Sequence, residues 1–195
     1  MVTVNKEKEN ESLTCKIKIL PPSKIRYAYL QSSYFAKNVG NLGKSCMRHK
    51  EMQRALNFYV KNNVKIVVVI DNNNKIHARA LLWDNVRSTN LKKPFTYLDR
   101  VYTRSDAFLP LFYNLAEESK WKRYPTTAVN AMNENYYKED INAIGMCHLP
   151  FMDTFRYLYL KDNLLTSGTG LNINKNPISY TTLNQHTNCG YYPSL

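Results

Sequence analysis

The sequence predicts an α/β (α+β) fold, an antiparallel-rich mixed sheet flanked by helices, and three observations carry the prediction. Val64–Ile70 is almost wholly β-branched, and the tract Asp71-Asn72-Asn73-Asn74 after it is rich in residues that tolerate turns. A second apolar segment runs from Ile76 to Trp83, so the two should pair as an antiparallel hairpin. A third, from Phe95 to Thr103, leads into Asp106–Trp121, where Phe108, Leu111, Phe112 and Leu115 line one stripe against Glu117, Glu118, Lys120 and Lys122. Three strands feeding one amphipathic helix constrain the fold more than any single residue.

The remaining elements follow in chain order. Residues 1–12 are polar and charged and read as a disordered arm. Thr14–Leu20 alternates Cys15, Ile17 and Ile19 with Lys16 and Lys18 before Pro21-Pro22, the pattern of a half-buried strand. Ile25, Tyr29, Leu30 and Tyr34 have helical spacing across 23–36, and two glycines mark 39–44 as a loop. Ser45 is an N-cap candidate for a second helix, in which Met52, Ala55, Leu56 and Tyr59 repeat at i, i+3, i+4, i+7 up to Asn62-Asn63. Pro110 is acceptable only in a helix's first turn. Beyond Pro125, residues 128–140 fit a short helix, 151–160 a strand or buried helix, and 166–192 an irregular tail. The core therefore spans 13–128, with 129–195 an extension packed on it.

Composition narrows the function classes. A chain of 195 residues supports one main core. Lys and Arg outnumber Asp and Glu 27 to 15, a formal net charge of +12, so the long-range field attracts an anionic ligand or nucleic acid. Four cysteines without a signal-peptide pattern indicate a reducing compartment, hence a cytoplasmic setting. The longest pure apolar run, Ile66–Ile70, is strand-sized, so no membrane partner is expected.

The assembled order over residues 14–128 resembles the acyl-CoA N-acetyltransferase superfamily. That resemblance implies acetyl-CoA or another acyl-CoA as cofactor, its pyrophosphate held by backbone N–H groups at the start of the helix after the third strand. Thr103, Arg104 and Ser105 occupy that place. The family's loop is Gly-rich, whereas this one has no glycine and carries Asp106. A second resemblance lies in the strings Gly43-Lys44-Ser45-Cys46-Met47-Arg48, Arg79-Ala80-Leu81-Leu82-Trp83, Asp99-Arg100-Val101-Tyr102-Thr103 and Pro150-Phe151-Met152-Asp153-Thr154-Phe155, which look like a set found in proteins of tailed bacteriophages. It implies a viral origin, in host cytoplasm or virion.

Three chemistries follow from single residues. Cys46, next to the cap candidate Ser45 and near Lys44 and Arg48, has surroundings that favour a thiolate. With His77 and Asp99 on successive strands, the order is similar to papain-like and transglutaminase-like cysteine hydrolases. Period two places His77, Arg79 and Leu81 on one face of their strand and Ile76, Ala78, Ala80 and Leu82 on the other. Charged strand residues need partners, so Arg48, Arg79 and Arg100 are candidates for anion or nucleic-acid binding, or for mutual pairing with Asp99. Cys147-His148 and His186-x-x-Cys189 are ligand types for zinc, but adjacent ligands on a strand diverge, and no metal is expected. The sequence thus supports a phage accessory protein with an acyltransferase-like domain, catalytic or not. Its alternatives are a basic nucleic-acid- or virion-binding protein and a cysteine hydrolase.

Overall fold

The computed structural model describes residues 2–4, 13–45, 47, 53–88, 91–124, 136–138, 141, 152–160, 163–168 and 172–174. Its centre is the hairpin of β3 (Lys65–Asp71) and β4 (Ile76–Ser88), paired antiparallel from Lys65↔Leu82 to Ile70↔Ile76. β2 (Leu13–Leu20) lies antiparallel on the far edge of β3, and β1 (Val2–Val4), within the segment read as an arm, pairs with β2. β4 is longer than its sequence pattern because Asn85, at φ 55°, carries it through an irregularity between Trp83 and Val86.

The second edge of β4 is shared. β5 (Leu91–Leu98) runs antiparallel along Leu82–Ser88, and β6 (Tyr102–Thr103) along Ala78–Arg79. The third strand is therefore two pieces separated at Asp99–Val101, with the Asp99 amide still donating to the Leu81 carbonyl. α4 (Leu109–Glu118) follows, with Pro110 in its first turn as the sequence requires. It ends on Lys120 at φ 57°, with Trp121 N–H donating to the Ala116 carbonyl and Lys120 N–H to that of Glu117. That turn sends β7 (Lys122–Arg123) back parallel to Tyr97–Leu98.

The C-terminal part adds strands to the same sheet. β8 (Tyr136–Lys138) takes the edge of β4 beyond β3, and β9 (Met152–Leu160), β10 (Asn163–Gly168) and β11 (Asn172–Asn174) continue outward. Residues 136–138 are thus strand where a helix fitted the pattern, and the end of β10 (166–168) and β11 lie where an irregular tail was expected from residue 166.

Two clusters fill the two faces. On one, Ile25, Ala28 and Tyr29 of α1 (Ile25–Tyr29) and Ala55, Leu56, Phe58 and Tyr59 of α3 (Gln53–Lys61) cover Ile66, Val68, Leu81, Trp83 and Tyr97. On the other, Phe108, Phe112 and Ala116 join Val67, Val69, Ala78, Ala80, Leu82 and Leu98, the two small alanines leaving room for the rings. α3 stops at Asn63, whose φ of 54° fits its end and lets Val64 N–H reach the Tyr59 carbonyl.

The predicted helix over 23–36 is broken. Leu30 and Tyr34 are extended, Tyr34 bridges Ile76 in parallel, and Phe35 N–H donates to the Ile76 carbonyl. Gln31-Ser32-Ser33 has little helix propensity to resist that pairing. A four-residue helix, α2 (Gly40–Gly43), completes the segment.

Candidate functional site

β4 brings two arginine-centred constellations together, one on each face. On the α1 face Arg79 is fully buried, at 1 % exposure. Its Cζ lies 3.7 Å from the centroid of the Tyr29 ring and 4.8 Å from that of Tyr102. Nε donates to Tyr34 Oη and one Nη to Ser45 Oγ, both at 3.3 Å. Burial pulls its pKa down, but Tyr29, Tyr34 and Tyr102 outweigh this and hold it above the ordinary arginine value, so Arg79 is a cation at any working pH. Ser45 is buried too and accepts from Met47 N–H at 3.3 Å, the local bond expected of a capping serine. Residues distant in sequence meet here: Ser45, Arg79 with Tyr102, and Trp83 with Asp99.

On the opposite face a relay runs Asp71–His77–Arg104. The pairing steps from Val69↔Ala78 to Ile70↔Ile76, so His77 is an extra residue, a β-bulge. The bulge exchanges neighbours: Ile76 joins the α1 and α3 cluster, whereas His77 packs on Phe108, ring centroids 5.3 Å apart. Simple alternation placed these two residues the other way round, because a period of two holds only where no residue is inserted. His77 Nδ1 accepts from Arg104 Nε at 2.6 Å, and an arginine cannot accept in return. The imidazole is therefore neutral, with its proton on Nε2, donated to Asp71 Oδ2 at 3.0 Å.

The other Asp71 oxygen accepts from the amides of Asn73 and Lys75, each at 2.9 Å, and so shapes the hairpin turn. Burial pushes the Asp71 carboxyl up, but the hydrogen bonds from His77, Lys75 and Asn73 bring it below its ordinary value. Arg104 sits over the rings of Phe35 and Phe108, and burial lowers its pKa against the opposing pull of Cys15 and Asp71. The Cys15 thiol is pushed up by burial and by Asp71 against the pull of Arg104, which leaves it an unreactive thiol.

This geometry relocates the hydrolase candidates. Cys46 and Arg48 lie outside the described residues, as do Cys147, His148, His186 and Cys189. His77 and Asp99 are not brought together: His77 has Asp71, while Asp99 accepts from Trp83 Nε1 at 3.1 Å and from the Arg100 amide at 2.8 Å on the other face. Both ring nitrogens of His77 are engaged, so it has no lone pair for a nucleophile. Of the network the sequence allowed, Arg48 lies outside the described residues; Arg79 has hydroxyl and ring partners, and Arg100 Nη donates to Tyr124 Oη at 2.7 Å. Among the described residues no three His, Cys, Asp or Glu side chains group as metal ligands, and no helix is long and apolar enough to cross a membrane.

The loop before α4 spends its donors internally. Thr103 N–H donates to Asn41 Oδ1, Arg104 N–H to the His77 carbonyl, and Ser105 N–H to Thr103 Oγ1. Ala107 N–H bonds Ser105 Oγ. Gly40, at φ 62°, presses on this loop so closely that an added Cβ would meet the Thr103 carbonyl oxygen at 2.3 Å.

A third feature lies at the β7 edge. Lys120, Lys122 and Arg123 are exposed, Arg123 Cζ lies 4.2 Å from the Tyr113 ring centroid, and Arg100 Cζ lies 4.9 Å from that of Tyr124. Glu117 and Glu118 are the nearest acids in sequence, so the edge stays net positive. Of these, sequence reasoning singled out Arg100 for anion or nucleic-acid binding but not its partner Tyr124, which the parallel β5–β7 pairing brings beside it. Compared with protein-family models and with curated sequences, the chain matches none.

Proposed function

We propose that this protein is a non-catalytic accessory protein, built on an acyltransferase-like sheet, that binds single-stranded nucleic acid along its β5–β7 edge. The observation that carries the reading is the pairing of cations with tyrosine rings there: half-buried Arg100 with Tyr124 and exposed Arg123 with Tyr113, flanked by exposed Lys120 and Lys122. Guanidinium groups already stacked on rings lose less freedom when they meet phosphate, and aromatic faces offer sequence-tolerant stacking. Lys92 and Lys93, exposed on β5 about 15 Å further along the strand, extend the same positive edge. The net charge of +12 supports it, and the strings shared with phage proteins support a viral setting.

The test is fluorescence anisotropy with a labelled oligonucleotide across a salt series. Four phosphate contacts give a slope of log K on log salt of about −3 for single strands, and Lys122→Ala with Arg123→Ala lowers its magnitude by about 1.4. A salt-independent signal, or a slope untouched by the double substitution, refutes the reading.

A second reading, an acyl-CoA enzyme, is supported by the parallel β5–α4–β7 unit and the strand break at Asp99–Val101. It requires α2 to leave Thr103–Ser105 so that their amides become free. Stabilisation by millimolar acetyl-CoA that Arg104→Glu abolishes favours it; no shift at that concentration rejects it.

A further inference from the structure

We infer that Arg79, Tyr34 and Ser45 form a buried site for one small oxyanion, a carboxylate or phosphate group, separate from the basic edge. The argument is an inventory of protons. Arg79 brings five N–H donors, of which two are engaged, by Tyr34 Oη and Ser45 Oγ. Each of those hydroxyls also has a proton of its own to give, and Ser45 Oγ already accepts from Met47 N–H. Among the described residues no carboxylate or carbonyl oxygen accepts from Arg79, Tyr34 or the Ser45 hydroxyl. The group is thus a fixed cation with three spare N–H and two spare O–H protons, at 1 % exposure for Arg79 and 4 % each for Tyr34 and Ser45.

Buried donors in such excess are costly, and a buried charge without a counter-ion more so, unless an acceptor of opposite charge completes the set. The Tyr29 and Tyr102 rings stabilise the cation through their faces but accept none of its in-plane protons. A single oxyanion offers about four acceptor sites and a negative charge, enough for most of the five protons and opposite in sign to the guanidinium.

The test is thermal unfolding at pH 7 of the full chain in sodium acetate, and separately in inorganic phosphate, against sodium chloride at equal ionic strength. The expected result is a saturable rise in Tm with one or both oxyanions and none with chloride; which salt acts identifies carboxylate or phosphate as the group. Arg79→Met loses the rise, while Arg104→Met on the opposite face keeps it. If Arg79→Met does not fold, Tyr34→Phe and Ser45→Ala, each removing one hydroxyl, raise the half-saturating concentration about tenfold. Tm values that follow ionic strength alone in the wild type overturn the inference, as does an equal rise in Arg79→Met.

Discussion

Arg79 and Arg104 face opposite sides of the same sheet, and their neighbourhoods solve the problem of a partly or fully desolvated cation in opposite ways. Arg104 donates one N–H to His77, which hands the contact on to Asp71, and it is only half-buried, so water can meet its other N–H groups. Arg79 has rings on its faces and two hydroxyls at its edge, and protons left over. The first is a closed structural device that ties a hairpin turn to the loop before α4. The second has unused binding capacity. What separates the two cations is the donor count taken together with burial: Arg104 can give its remaining protons to water, and Arg79 cannot.

The largest effect expected from breaking this contrast is at Asp71. Asp71→Ala removes the acceptor of His77 and both turn amide bonds together, and should cost about 4 kcal/mol in chemical denaturation, from three hydrogen bonds to one carboxylate lost at once. Asp71→Asn keeps the turn acceptor and should cost about 2 kcal/mol. On the other face, Tyr34→Phe removes the one hydroxyl that accepts from Arg79 Nε and should cost about 2 kcal/mol, the value for a single hydrogen bond to a charged group. A Tyr34 loss as large as that of Asp71→Ala would erase the distinction.

Acid sharpens the comparison. The folded pKa of Asp71 is depressed, so its stabilisation is complete above the unfolded aspartate value of about 4 and is lost as pH falls through the lower folded value. Wild type should therefore lose stability on acidification below about pH 4, with a flatter profile in Asp71→Asn, whereas Arg79→Met should keep the wild-type slope. The smallest effect is at Lys120, a non-glycine residue at φ 57°. Lys120→Gly should stabilise by about 1 kcal/mol in the same denaturation assay, while removing one positive charge from the β7 edge.

The sequence made the meander and α4 legible because β-branched runs, the Asp-Asn tract and an apolar stripe are local signals. It did not reveal the sites equally well. His77 and Ile76 exchanged faces because the bulge is a two-strand property, invisible in the period of one strand. Asp71 was read as a turn residue, which it is through Oδ1; the role of Oδ2 required the position across the hairpin to be read as well. Arg104 stood as a pyrophosphate candidate from its place before α4, yet its side chain is directed to His77 through a contact 27 residues distant. Tyr34 was assigned to a helix that the Ile76 bridge breaks, so its hydroxyl could not be placed beside Arg79. Arg79 itself was legible as a charged residue in an apolar strand; what surrounds it was not.

The central claim, that Arg79 has capacity its fold does not use and Arg104 does not, is tested most directly by nitrogen-resolved NMR of the arginine side chains during titration with acetate and phosphate. The account predicts that the Arg79 Nε–H signal shifts saturably with an oxyanion while that of Arg104 stays in place. Arginine signals that both stay fixed, or both move together with ionic strength, would contradict it.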